Sequence, residues 1–330
     1  MVDPRQGGLF APSSTPAQVR RSGPWDRLPP SIRLGTSSWT YPGWKGSIYR
    51  REYRSEKAFR EESLAEYADH PWFGCVGIDS SFYGPPSAKT VERYARQTPS
   101  TFRWLPKVWE QVTIETFGSG RVPKGFRPTD PNPAFLDPMV FAREVLTPWD
   151  RDGVRERTGA LMFQFASLGK RPSFRAIDTF CRRFDDFLGA VPKTIPLAVE
   201  IRTPELLEPF WFDLLHFHGV AHVYNHWDGM PPLTVQAEVA ARARRPPPPL
   251  RIVRLLTPLG TSYRASVEQF KPYDRVRVVQ TACREQTTEL VVDAATANME
   301  TYVLANNRLE GHSPTTLEAI GLQVLERLER

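Results

Sequence analysis

From residue 32 onward one pattern repeats along the chain. A short run of branched and aromatic apolar residues ends in polar side chains, and an amphipathic stretch of helical period follows it. Such runs are read at 32–36, 75–79, 102–107, 159–165, 197–201, 221–225, 251–255 and 299–305. Helices are read at 56–69, 88–97 (with Ser87 as N-cap), 138–146, 174–187, 205–217, 234–243, within 267–297, and at 313–328. A strand joined to its neighbour by a helix pairs with it in parallel, because the crossover returns the chain to the same end of the sheet. Eight such units predict an α/β fold whose sheet closes on itself, a (β/α)8 TIM barrel. The competing architecture is an open doubly wound sheet. Its dinucleotide-binding form needs G-x-G-x-x-G after the first strand, and none stands there. The stretch GSGRVPKG, 118–125, lacks the G-K-[ST] ending of a phosphate loop and reads as a surface loop.

Residues 1–30 break the pattern. They are rich in Pro, Gly and Ser and have no apolar period, so an irregular tail, disordered or draped, is expected before one barrel domain at 31–330. This segment has no hydrophobic region of a secretory signal, and no apolar run along the chain approaches a membrane span. The cysteines, Cys75, Cys181 and Cys283, are widely spaced and flanked by apolar residues. Buried reduced thiols in a cytoplasmic protein are the expectation. The net charge of +6 is dispersed; it suits an anionic ligand without demanding nucleic acid.

A barrel of this kind places its chemistry at the C-terminal ends of its strands. The tips carry Thr36 and Ser37; Asp79, with Ser81 and Tyr83 close behind; Lys107; Gln164; Glu200 and Arg202; Asn225, His226 and Asp228; Arg254; and Asn306 with Asn307. The period of two puts Glu200 and Arg202 on one face above Ala198. Charges gathered in a barrel mouth need partners, and such gatherings mark functional sites. The plainer reading of Glu200 and Arg202 is a mutual ion pair that fills the mouth. Lys107 offers proton transfer or an anion anchor, against a lysine reaching solvent. Asp79 offers a base, against a cap on its loop. Four histidines fall between 216 and 226, but His222 and His226 stand at opposite ends of one strand and only His226 reaches the mouth. A centre from His226, Asp228, Glu200 and Asp79 has no fixed ligand spacing, so no metal and no cofactor are assigned. No G-x-S-x-G elbow is present. After the first strand, GTSSWTYPGWKGSIY crowds Trp39, Tyr41, Trp44 and Tyr49 into a turn-rich loop. Its rings form either a lid over the mouth or a structural plug.

The same tips carry a family resemblance. IRLGTSSWTYPGWKGSIY, IDSSFYGPPSAKTVERYARQTPSTFRWLPKV, ALMFQF, LAVEIR and YVLANN resemble the domain-of-unknown-function 72 family, the YecE-like proteins, from Ile32 to about Asn307. The resemblance implies a TIM barrel and no particular reaction. It marks Gly35, Trp39, Tyr41, Trp44, Ser81, Phe82, Tyr83, Thr98, Pro99, Lys107, Gln164, Glu200, Arg202, Arg254, Asn306 and Asn307. The chain also departs from the family pattern. Gly77 stands at a glutamate position and Asp79 at an asparagine position, while Ile114, Thr203 and Arg308 stand where histidines are usual, and RLLTPLG replaces R-F-H-G after strand seven.

The leading functional expectation is a barrel that takes a small anionic or hydroxyl-rich ligand, a sugar, sugar phosphate or nucleotide-like compound. Glu200, Lys107 and Asp79 are the acid–base candidates. Arg202 and Arg254 would neutralise an anion, Gln164, Asn306 and Asn307 would orient hydroxyls, and Ser81 would join them in binding the ligand. Trp39, Tyr41, Trp44 and Tyr83 would stack over a ring. The alternatives are a single-stranded nucleic-acid or nucleotide binder without turnover, and an inactive barrel scaffold.

Overall fold

The computed structural model describes residues 22–118 and 122–330. Most of the expected tail and part of the 118–125 loop lie outside the described residues. Eight parallel strands form the sheet: β1 Ile32–Thr36, β2 Phe73–Ile78, β3 Arg103–Pro106, β4 Leu161–Gln164, β5 Leu197–Glu200, β6 Ala221–His226, β7 Leu250–Leu255 and β8 Glu300–Ala305. Their order is β3-β2-β1-β8-β7-β6-β5-β4. The remaining gap, between β3 and β4, is bridged in parallel at Trp104–Thr158 and Lys107–Met162. There Gly159 N donates to Trp104 O at 2.8 Å and Val108 N to Met162 O at 2.9 Å. The strands, alternating with helices, thus form a nearly closed (β/α)8 barrel.

Alternation along each strand sorts side chains between two cores. Cys75, Leu105, Met162, Ala198, Val223, Ile252, Tyr302 and Leu304 fill the barrel interior as one cluster. Their neighbours on the outer face, such as Val76, Phe163, Val199 and Val303, join the larger cluster shared with the helices. The next inward position above that interior is where the polar tips begin. Gly35 marks the tightest point of the inner wall. A Cβ there would lie 2.0 Å from Cys75 O, and the β1–β2 register shifts between Leu34 and Gly35.

The helices largely follow the amphipathic pattern, with Ser87 capping Ala88–Gln97 through Thr90 N and Ser173 capping Phe174–Ala190 through Ala176 N. Pro209 splits the region read as 205–217 into a 3-10 turn, Pro204–Leu206, and a helix, Pro209–Phe217. Ser63 divides 56–69 into Glu56–Glu62 and Leu64–Asp69. The region 267–297 resolves into Tyr263–Phe270 and Thr281–Thr296, and a short helix, Asn307–Glu310, follows β8 directly. Near the N-terminus Pro24–Arg27 makes a 3-10 turn, and Trp25 meets Trp72 edge-on at 6.0 Å. Among the described residues, no helix is long and apolar enough to cross a membrane. The three cysteines are free and buried.

Because backbone rather than a movable side chain meets residue 35, Gly35→Ala should destabilise the barrel by about 3 kcal/mol. Urea unfolding followed by circular dichroism measures this, and an unchanged midpoint would contradict the close packing of β1 on β2.

Candidate functional site

The side chains at the strand tips converge. Glu200 ends β5 directly above Ala198 and is 1% exposed. One carboxylate oxygen accepts from Arg202 Nε at 2.7 Å, and the other pairs with Arg254 Nη1. Both guanidinium groups also approach Gln164 Oε1, at 3.5 and 3.4 Å. Arg202, two residues beyond Glu200, packs its guanidinium over Trp227 with 3.8 Å to the ring centroid. Across the mouth, Lys107 Nζ lies 2.9 Å from Asp79 Oδ1, and Arg254 Nη2 lies 3.7 Å from the same oxygen. Lys107 also sits over the Phe82 ring at 5.5 Å. Three cations therefore share two carboxylates, and the Asp79 side chain, 29% exposed, is the most open of the five.

This arrangement sets the charge states. Burial alone would raise the Glu200 carboxyl, but Arg202, Arg254 and Lys107 overcome it and hold the pKa down to about 2. Burial lowers the Lys107 ammonium, with Arg254 adding to the effect and Asp79 and Glu200 opposing it. Two arginines thus occupy the Glu200 oxygens and favour its charged form.

Several other predicted residues are occupied by structure. Ser81 Oγ lies 2.7 Å from Ile78 O and 2.8 Å from Lys107 O, tying the ends of β2 and β3. Asn306 caps the short helix after β8 through Arg308 N, and Asn307 Oδ1 accepts from Trp44 Nε1, Ser313 N and Ser313 Oγ. Trp44 is fully buried, stacked between Tyr49 and Tyr67, and Trp39 packs edge-on against Tyr94. These two tryptophans plug the loop onto the barrel, and their rings do not form an open stacking face. Tyr41 and Tyr83 remain at the rim, with Tyr83 60% exposed. Burial pushes the Tyr41 phenol up to about 12, against the pull of Arg308.

His226 Nδ1 lies 2.8 Å from Thr257 O, which ties β6 to the loop after β7, and burial lowers its pKa. Among the described residues no three His, Cys, Asp or Glu side chains converge as metal ligands. Sequence reasoning missed Trp227, Tyr263, Tyr273 and the placement of Arg308. The Arg308 guanidinium stands over Tyr263 at 4.5 Å, and Tyr273 meets Tyr41 edge-on at 5.9 Å. Trp227 was legible as the aromatic following the β6 tip. Tyr273 was not, since its approach depends on Gly43, where a Cβ would fall 2.4 Å from Pro272 O.

The family described as "Protein of unknown function DUF72" matches residues 33–328. The chain belongs to the DUF72 family. Among curated relatives, the UPF0759 protein YunF of Bacillus subtilis is 32% identical over 82 residues, a quarter of each protein (25% of this chain, 26% of the relative). Two solved DUF72 family proteins share the fold. That of Thermotoga maritima aligns with a TM-score of 0.55 at 21% identity, covering 91% of this chain and 99% of its own. That of Enterococcus faecalis aligns with a TM-score of 0.53 at 17% identity, covering 91% and 98%. Within this DUF72 barrel the glutamate position held by Gly77 has no room for a side chain, because a Cβ would lie 2.8 Å from Ser37 O.

Glu200→Gln leaves two buried guanidinium groups without their carboxylate and should cost about 3–5 kcal/mol of stability. The depressed Glu200 pKa also has a definite sign. Its contribution is full above the ordinary value of 4.5 and is lost as pH falls through about 2. Urea midpoints of the unmodified chain should fall across that window and those of Glu200→Gln should fall less; parallel pH profiles would show that the triad does not form.

Proposed function

We propose that the mouth of this DUF72 barrel binds a small anionic, hydroxyl-bearing ligand of the sugar-phosphate kind, and that Lys107 and Asp79 exchange a proton with it. The excess of cations over carboxylates in the buried cluster carries this reading, since an anion entering there completes the charge balance. One further feature supports it: Arg254 Nε is buried and has no hydrogen-bond partner among the described residues. Asp79 is the base of the pair and Lys107 the acid and anion anchor. Glu200 keeps Arg202 and Arg254 aimed inward, while Gln164 steadies both. Tyr41 and Tyr83 face the ligand's uncharged part. The buried reduced thiols favour the cytoplasm as the location.

Ribose 5-phosphate is a suitable probe, followed at the Gly77 amide by nuclear magnetic resonance on the full chain. Saturable shifts are expected, and Lys107→Met should weaken binding by about tenfold or more, the loss of one hydrogen bond to a charged group. Affinity should also decline as pH rises, beginning below the ordinary lysine value of 10.5, because burial lowers the Lys107 pKa and the neutral amine no longer attracts the anion. Unaltered affinity in Lys107→Met would overturn the assignment. If the site instead bound single-stranded nucleic acid, an oligothymidylate would bind with a steep salt dependence and the sugar phosphate would not compete.

A further inference from the structure

The barrel has a second recess, at the end opposite the mouth. It measures 640 Å3 and is lined by the N-terminal ends of the strands and the turns that lead into them. Tyr302 forms its floor. The ring belongs to the packed barrel interior, and the hydroxyl donates to Glu300 Oε1 at 3.1 Å. Gly159 permits this, since a Cβ at that position would lie 2.8 Å from the Tyr302 oxygen. Arg33, on β1, pairs with Glu300 and lies 6.0 Å above the Tyr302 ring. Arg103, on β3, is different. Its Nη1 donates to Ser100 O at 2.9 Å and Phe102 O at 3.3 Å, and no carboxylate pairs with it among the described residues. Burial lowers its pKa, and the neighbouring Arg33 charge lowers it further, with Tyr302 opposing and Arg157 adding to the effect.

We infer that this recess is a second binding site, for the phosphate group of a phosphomonoester held between Arg103 and Arg33. A guanidinium is a planar fork of donors, and a phosphate can accept from two forks at once, which a carboxylate does less well. A dianion there cancels the repulsion between the two arginines. Glu300 aims Arg33 without neutralising Arg103. The recess is larger than a bare phosphate needs, so an organic portion lies against Pro248, Pro249 and the Tyr302 ring. The packed interior, Leu105, Met162, Ala198, Val223, Ile252 and Leu304, separates the recess from the mouth.

Inorganic phosphate, titrated into the full chain labelled with 15N-glycine, tests the inference and keeps the two sites apart. Gly159 and Gly219 line the recess, whereas Gly77 reports on the mouth. Saturable shifts of Gly159 and Gly219 are expected whether or not Gly77 responds. Arg103→Gln should weaken that binding by about tenfold, as expected for one lost hydrogen bond to a charged group. Glu300→Gln, which removes the competing carboxylate from Arg33, should tighten it severalfold. The inference is overturned if the Gly159 and Gly219 signals do not saturate, or if neither substitution alters their apparent affinity.

Discussion

The organising interaction is a carboxylate held between two guanidinium groups inside the barrel. Glu200 comes from β5, Arg254 from β7, and Arg202 from the turn just past β5. Removing such charges from water carries a penalty of several kcal/mol per ion, so the triad persists only because each group has its partners in place. Arg254 then reaches Asp79, beyond the end of β2, and Asp79 meets Lys107, beyond the end of β3. The network therefore joins β5 to β7 and β7 to β2, which are not neighbours in the sheet, as well as the neighbours β2 and β3. Hydrogen bonds of the sheet fix adjacent strands, and this polar layer fixes strands that face one another.

That cross-barrel arrangement explains why so much of the site was readable from the chain. Period-two alternation places Ala198 and Glu200, or Ile252 and Arg254, on the same inward line. Once eight parallel strands are recognised, their polar ends must meet. The residues held by distant partners follow a different logic. Trp44 and Asn307 are 263 positions apart and share one hydrogen bond, and Trp39 owes its burial to Tyr94. Local sequence marks these residues as aromatic or polar but says nothing of the partner that covers them. Helix ends misled for a related reason. Pro209 stands where it can begin a helix as easily as interrupt one, and the preceding turn settles which occurs.

The departures from the family pattern also become physical statements. Gly77 marks the place where the β1 tip presses against β2, and backbone contact there leaves no room for a side chain. Arg308 brings a permanent cation to a position where the pattern has histidine, and it does so beside Tyr263 and Tyr273.

The two ends of the barrel show what burial does to a charge cluster. At the mouth each cation has a carboxylate within reach, and Asp79 alone keeps substantial contact with solvent. At the opposite end Arg33 has Glu300 but Arg103 has only carbonyl oxygens. A carbonyl dipole stabilises a cation less than a full negative charge at the same distance. The ring of Tyr302 and the packed apolar residues above it stand between the two clusters. Each end of this barrel thus gathers positive charge, and the apolar interior between them screens one cluster from the other less than water would.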